Sequence, residues 1–450
     1  MGRPPARDNR SGSQGRTPWV QRHACRRSGY GELMPEYRLI HELPSDRDGA
    51  DDARLILNDI EAVTTQRPFS DQVIAFAGDF ARRLRLASRG VPELTALAHW
   101  MRKAELLRLR GEFESLAPAH QILVPRGVVF HVPPANVDTI FVYSWLLSVM
   151  VGNKNVIRLS SRGAPSVELI LEVFTETLRQ PEHGGMRGNT VFVRYGHDRS
   201  VTDVFSAGCD VRVIWGGDST VDAIRRSSLS PAAVELTFPD RRSISVIAAD
   251  KYGAASEGVR NTLTERFYND SFWFDQMGCS SPREVYWLGV NDLEDALCED
   301  FFGRLRATVR GKGYLLDAAL SMRKKTFNYR AVLDHPVSKV TTYGNEVSVL
   351  TVTSMAGVVE EFAGAGTFFN MALDDLLDLR GHVGRKHQTM TYFGLGEEQI
   401  SELAIALNGQ GIDRIVPIGE ALTFSRYWDG LDLLQAFARR VTLQFTSEAT

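Results

Sequence analysis

From Gly127 onward, short runs rich in β-branched residues alternate with helical stretches, and this alternation restricts the fold more than any other feature. The run Gly127-Val128-Val129-Phe130-His131-Val132 reads as a strand and ends at Pro133-Pro134. A continuously apolar segment follows and predicts a helix beginning near Asn136 or Asp138, both good N-caps. Gly152-Asn153 stops that helix, and Asn155–Leu159 reads as the next strand. The pattern then predicts helix Ser166–Leu178, strand Thr190–Arg194, helix Val201–Ala207, strand Val211–Trp215, a Gly216-Gly217 turn, helix Ser219–Arg226 and strand Ser243–Ile247. Each helix returns the chain to start a strand parallel to the last, so repeated units of this length give a parallel, doubly wound sheet. Such sheets bind ligands beyond the C-terminal ends of their strands. A second α/β block spans about Tyr252 to Leu379, with helix Ala255–Phe267, a loop around Cys279, strand Glu284–Leu288 and helix Leu293–Val309. The tail reads as Ile412–Gly419, a helix over Leu431–Arg439, and Val441–Phe445. Ahead of the first strand, Tyr37–Ala117 places apolar residues three and four apart, the spacing of amphipathic helices.

With 450 residues the chain is long enough for two or three domains, and a net charge of −3 gives no global field toward nucleic acid or anionic membrane. Residues 1–30 stand apart: seven arginines face one acid, a local +6 that leaves −9 for the remainder. This stretch is too poor in apolar residues to order itself and reads as a disordered leader, with Met34 as an alternative start. The longest apolar run, Thr139–Val151, is well short of the roughly 20 residues a membrane-spanning helix needs. No secretion-signal segment is evident. The four cysteines, Cys25, Cys209, Cys279 and Cys298, show neither metal-finger nor disulfide-framework spacing, which suits a cytoplasmic protein without a metal site.

Cys279 lies in Trp273-Phe274-Asp275-Gln276-Met277-Gly278-Cys279-Ser280-Ser281-Pro282, just before the strand Val285-Tyr286-Trp287-Leu288. A small-residue loop leading into a strand can expose a thiol to a substrate, and the thiolate is a strong nucleophile. Free cysteines are more often small buried hydrophobes, and Cys209 and Cys298, in helical contexts, read that way. Gly216-Gly217-Asp218-Ser219 opens a helix after a strand, where small residues let a phosphate approach the helix N-terminus. It is not the standard dinucleotide fingerprint, and many such turns are plain connectors. His131 is expected to be a buried structural residue, and the aromatic residues Tyr268, Phe272, Trp273 and Phe274 either line a tunnel or belong to the core.

Seven segments in one order resemble the LuxC-type acyl-CoA reductases, long-chain acyl thioester reductases of the aldehyde dehydrogenase superfamily. They are Phe130–Asn136, Gly152–Ser161, Trp215–Asp218, Ser243–Ile247, Gly278–Pro282, His387–Thr389 and Asp413–Gly419. The resemblance implies an α/β, aldehyde dehydrogenase-like fold with two Rossmann-like doubly wound parallel-sheet domains and a small oligomerisation element. On that pattern, residues 1–33 are the leader and 34–250 hold the N-terminal helices and the NAD(P)-binding domain. Residues 251–400 form the catalytic domain, and 401–450 return to the cofactor and oligomerisation region. Cys279 matches the family nucleophile. Asn136 matches the amide that faces the thiohemiacetal oxygen, where a preorganised donor is worth about 3 kcal/mol. Arg158 falls at a position where the superfamily carries a cofactor-binding Lys.

The cofactor set implied is Arg158, Ser160, Ser161, Arg162, Gly216, Gly217, Asp218 and Ser219. Ser161 stands where NAD-preferring relatives carry an acid, and Arg162 follows it, so NADPH is expected over NADH. Hydrolytic aldehyde dehydrogenases place a water-activating Glu just before the strand that begins here at Ser243. Alignment on Ser243 puts Phe238 at that position, with Glu235 or Asp240 as alternatives. The expected activity is NADPH-dependent reduction of a thioester, on CoA or on a carrier protein, to an aldehyde through S-acyl-Cys279, by a dimer or tetramer. A hydrolytic aldehyde dehydrogenase and a non-redox acyl transferase or thioesterase are the alternatives. The thiol pKa is expected to be lowered by nearby donors.

Overall fold

Six strands, all parallel, form a first sheet in the spatial order Ile40–Glu42, Thr190–Arg194, Lys154–Leu159, Val128–Val132, Val211–Trp215, Val234–Phe238. The computed structural model describes residues 39–44, 47–89, 91–134, 139–160, 163–196, 199–290, 296–353 and 362–445; the Arg-rich leader lies outside them. From the central strand Val128–Val132 the chain winds first to one side and then to the other. The direction therefore reverses between Val128–Val132 and Val211–Trp215, the point where doubly wound sheets bind ligands.

Two strands of this sheet differ from the sequence reading. Ile40–Glu42 lies at one edge, ahead of the helical region. Val234–Phe238 forms the opposite edge. The strand predicted at Ser243–Ile247 instead belongs to the second sheet, as Arg242–Ala248. Only Pro239-Asp240-Arg241 separates it from Phe238, so the C-terminal edge of the first sheet runs directly into the N-terminal edge of the second.

The second sheet has seven strands, ordered Val337–Tyr343, Val347–Val352, Thr367–Leu373, Pro282–Leu288, Arg242–Ala248, His387–Phe393, Arg414–Pro417. It is parallel apart from Val337–Tyr343, an antiparallel edge strand hairpinned onto Val347–Val352. Its edge position explains the exception, since a hairpin needs no crossover helix. Near the C-terminus, Ala438–Thr442 pairs antiparallel with Gln121–Pro125, more than 300 residues earlier in the chain.

The apolar helix Ile140–Met150 is buried on every side, as its all-round hydrophobicity requires. Trp145 meets Phe76, Phe80 and Phe174 edge to face at 5.0–6.2 Å, tying the N-terminal helices to the first sheet. Cutting Phe80 back to Ala removes about 3–5 kcal/mol from such a site. His131 is fully buried, with Nδ1 2.8 Å from Ser144 Oγ and Nε2 2.9 Å from Asn155 Oδ1. Burial lowers its pKa to about 4, so it is a neutral structural residue, as expected. Asn153, in one of the resembling segments, is also structural. Its carbonyl oxygen accepts from the Arg126 and Gly127 N–H groups, and its amide donates to Ser148 and Phe437 carbonyls. Among the described residues, no helix is long and apolar enough to cross a membrane.

Candidate active site

At the reversal point of the first sheet, the strand ends enclose a cleft of about 590 Å³. Val132-Pro133-Pro134, Arg158, Ser160, Gly216, Gly217 and Ser219 line it, bringing together five of the eight residues expected to bind a cofactor. Gly216 has φ +155°, and its N–H donates to the Phe238 carbonyl at 3.1 Å. A Cβ on Gly217 would meet no atom within 4 Å, so the start of helix Asp218–Arg225 is open to a ligand. The Arg158 guanidinium lies 4.5 Å over the Tyr195 ring and donates to the Gly196 carbonyl at 3.1 Å, which holds it at the rim. Asp218 is not part of the lining. Its carboxylate faces Lys386 at 3.0 Å and accepts from the Asp240 N–H at 3.3 Å. Ser161 and Arg162 lie outside the described residues. The sequence reading missed Tyr195 and Arg199, also in the lining, although Tyr195-Gly196 directly follows a predicted strand.

Cys279 stands at the N-terminal edge of the second sheet, three residues before the strand Pro282–Leu288, and is partly accessible. Three consecutive residues before it, Phe274, Asp275 and Gln276, have left-handed backbones with φ of 53°, 53° and 63°. Side-chain residues pay roughly 1–2 kcal/mol each for this conformation, so it persists only where contacts over-determine it. The contacts are specific. Gln276, fully buried, donates to the Pro282 and Thr367 carbonyls at 2.9 Å and accepts from the Gly366 and Thr367 N–H groups at 2.9 and 3.0 Å. Its side chain thus closes the loop from its first residue to Pro282. Tyr314 donates to the Asp275 carboxylate at 2.7 Å, and the Ala365 N–H to the Asp275 carbonyl at 2.9 Å. Buried Lys324 donates to the carbonyls of Asn345, Glu346, Ala365 and Gly366 at 2.7–3.3 Å, steadying the strand starts that Gln276 grips. On the other side, Ser243 Oγ donates to the Cys279 carbonyl at 2.7 Å.

The charges around the thiol correct one expectation. Burial pushes its pKa up, Asp429 pushes it further, and Arg283 and the Arg241 N–H only partly offset them. Asp429 accepts from Gln388 Nε2 and lies 3.4 Å from Arg241; Gln388 Oε1 in turn accepts from Ser280 at 2.8 Å. A thiol between desolvation and a carboxylate is held neutral, not activated. Asn136 lies outside the described residues. Its flanks are placed: Pro133-Pro134 line the cleft of the first sheet, and Thr139 lines a cavity shared with Trp273, Phe274 and Asp275. Cys209 and Cys298 are buried, and burial raises the Cys209 thiol to about 12, as befits packing residues.

Two further features bear on chemistry. Glu235 is committed elsewhere, bonded to Arg212 at 2.9 Å and Arg225 at 2.7 Å. Phe238, at the end of the same strand, stacks on Trp215 at 3.8 Å. Of the two alternative carboxylates, Asp240 is near enough to the thiol to raise its pKa. Beside the Cys279 loop are two cavities of about 600 and 940 Å³, which share Val91, Pro92, Asn269 and Trp273. The larger adds Trp100, Leu422 and Phe424, and Leu422 reaches within 3.5 Å of the Cβ position on Gly278. Tyr268, Phe272, Trp273 and Phe274 line the smaller one, so these aromatics do face a cavity. Asp270 pins the Leu422 segment by accepting from the Gly419 and Ala421 N–H groups at 2.6 and 3.0 Å; burial raises its pKa to about 7.

Residues 96–440 match the sequence model of the family described as acyl-CoA reductase (LuxC). A long-chain acyl-protein thioester reductase from Aliivibrio fischeri is 28% identical over 38% of the chain and 36% of its own length. Its Vibrio harveyi counterpart is 23% identical over 66% of the chain and 59% of its own length. The chain thus spans less than two thirds of the curated relatives it matches. Among solved structures, a glyceraldehyde-3-phosphate dehydrogenase from Methanocaldococcus jannaschii complexed with NADP superimposes with TM-score 0.64 at 11% identity, over 88% of this chain and 94% of that one. A lactaldehyde dehydrogenase gives 0.62 at 13% identity, over 88% and 92%. The fold is that of the aldehyde dehydrogenases, as the resemblance implied.

Proposed function

Since this chain belongs to the acyl-CoA reductase (LuxC) family, we propose that it reduces an acyl thioester, carried by CoA or by a protein, to an aldehyde with NADPH. The observation that carries the proposal is one partly accessible thiol on a braced loop whose earlier residues line an aromatic cavity, in a fold that also offers an arginine-bearing cleft at the reversal point of the first sheet. The cleft suits an anionic dinucleotide. Its described lining includes Arg158 and Arg199 and no carboxylate, so it holds no charge that repels a 2′-phosphate. Arg158, Ser160, Gly216, Gly217 and Ser219 would hold the cofactor, and Ser161 and Arg162, which follow Ser160 in the chain, are the residues assigned to the choice of NADPH. When bound, the nicotinamide supplies the hydride that reduces the acyl group.

The chain's own residues do the rest. Cys279 loses its proton, its sulfur bonds to the thioester carbonyl carbon, and the bond to the departing sulfur breaks, releasing the donor as a thiol. The Cys279 N–H and the Asn136 amide stabilise the oxyanion. Collapse after reduction frees the aldehyde and restores the thiol. On the alignment at Ser243, Phe238, stacked on Trp215, replaces the base of hydrolytic relatives, which favours reduction over hydrolysis of the acyl-enzyme; Asp240 is the alternative base. Three described cysteines are free thiols, in keeping with a cytoplasmic enzyme, and a homo-oligomer is part of the same proposal.

Intact-protein mass spectrometry after mixing with palmitoyl-CoA, without cofactor, tests this reading. The expected adduct is one palmitoyl group, mapped to Cys279 and absent from Cys279→Ser. An adduct elsewhere, or acid formation from aldehyde and NADP⁺ as fast as thioester reduction, overturns it.

A further inference from the structure

Among the described residues, the helix Ala318–Asp334 presents a face that packs against no other element. Its buried side holds Lys324, Phe327 and Ala331. The opposite side exposes Met322, Tyr329 and Leu333 at 64%, 74% and 83%, and Leu315, just before the helix, is 88% exposed. At 100° per residue, Met322, Thr326, Tyr329 and Leu333 fall within one narrow stripe. Lys325 borders it on one side, Arg323 and Arg330 on the other. Charge is concentrated here. Residues 303–334 carry eight lysines and arginines against two acids, in a chain whose net charge is −3. Arg304 is taken by Asp300 at 2.8 Å and Glu257 at 3.6 Å, Glu346 engages Arg310 at 2.7 Å and Arg306 at 3.9 Å, Lys324 is buried, and Asp334 engages Arg330 at 3.9 Å; the exposed cations that border the stripe are therefore Arg323, Lys325 and Arg330, with Lys312 ahead of it.

The same segment leads to the thiol. Lys312 and Tyr314 line the smaller cavity with Trp273, Phe274 and Asp275, and Tyr314 bonds Asp275 four residues before Cys279. We propose that the Met322–Leu333 stripe and the Lys312–Leu315 turn dock an acidic acyl-carrier-protein domain, which delivers its thioester arm along this cavity to Cys279; the proposal rests on the reductase reading above. The stripe is about 16 Å long on a convex helix, a shape for a macromolecule, since small ligands take concave sites. A second copy of this chain meeting it face to face would set cations against cations, whereas an acidic partner complements them.

Steady-state kinetics with palmitoyl-loaded acyl carrier protein and with palmitoyl-CoA test the proposal. Two surface variants are compared, Lys325→Glu with Arg330→Glu, and Met322→Ser with Leu333→Ser. Each should raise KM for the carrier substrate about tenfold, with kcat within twofold and palmitoyl-CoA kinetics unchanged. Added salt should raise the carrier KM of the unmodified enzyme and spare that for CoA. An unchanged carrier KM overturns the proposal. So does a variant effect confined to oligomeric state in sedimentation, which makes the face a self-interface. So does an effect confined to binding of phosphatidylglycerol vesicles, which makes it a membrane surface. If the unmodified enzyme reduces neither thioester, the reductase reading falls; docking is then read directly, as anisotropy of labelled palmitoyl carrier protein lost in both variants.

Discussion

The cleft proposed for the cofactor and the thiol loop lie at the C-terminal edge of the first sheet and the N-terminal edge of the second, and they are built on opposite principles. The cleft is assembled from regular structure: strand ends, a glycine turn with open space around Gly217, and an arginine steadied on a tyrosine ring. Its parts keep ordinary backbone geometry apart from Gly216, where glycine removes the cost. The thiol loop carries three left-handed residues with side chains, held by partners from Thr367, Gly366 and Tyr314. A binding site for a common cofactor can be simple because much of its recognition is backbone and charge. A site that must aim one atom at a carbonyl accepts strain and offsets it with bonds from elsewhere.

The contrast can be broken most forcefully at Gln276. Gln276→Ala removes the acceptor of the Gly366 N–H, one of the two acceptors of the Thr367 N–H, and the donor to the Pro282 and Thr367 carbonyls. We expect kcat to fall on the order of 10²-fold, with the KM for NADPH within about twofold. The rate of Cys279 alkylation by iodoacetamide should change in parallel; a variant that loses thermal stability but keeps normal alkylation and turnover would make Gln276 merely structural. Arg158→Ala should act on the other region alone. It is expected to raise the KM for NADPH about tenfold, with palmitoylation of Cys279 unaffected. A slowed palmitoylation would mean that the two regions are coupled.

The smallest effect concerns charge. Because burial and Asp429 hold the thiol pKa above its ordinary value, alkylation of Cys279 in the free enzyme should keep rising through pH 9. Asp429→Asn removes a negative neighbour and should shift that profile down by less than about one unit, a rate gain of severalfold at pH 8. A profile that moves upward or stays fixed would remove Asp429 from the thiol's electrostatics.

What could be read from the sequence follows the same division. Thr190–Arg194 and Val211–Trp215 were legible to the residue because buried parallel strands are continuous apolar runs bounded by turn residues. The cleft followed, since its lining sits just after those strands. The edge strands were harder. Ile40–Glu42 is three residues long, and Val234–Phe238 carries Glu235 and Thr237 on its exposed side. Around Cys279 the local string identified the thiol but not its surroundings. Gln388 and Asp429 reach it from over 100 residues away, and nothing in Phe274-Asp275-Gln276 announces a left-handed backbone. The expected lowering of the thiol pKa failed for the same reason: the burial that raises it most, and the acids Asp429 and Asp240 that add to it, come from other segments of the chain.

The pairing of Ala438–Thr442 with Gln121–Pro125 has a consequence for synthesis on the ribosome. Tyr143 donates to the Ser425 carbonyl and stacks on Phe424, while Arg126 and Asn153 donate to the carbonyls of Ala436 and Phe437. These partners emerge roughly 280–310 residues after the segments they cover. During translation the first sheet therefore stays open along the Ile140–Met150 helix until residues 424–442 leave the exit tunnel. That interval, in which apolar surface waits for its cover, is when a nascent chain of this design depends most on chaperones.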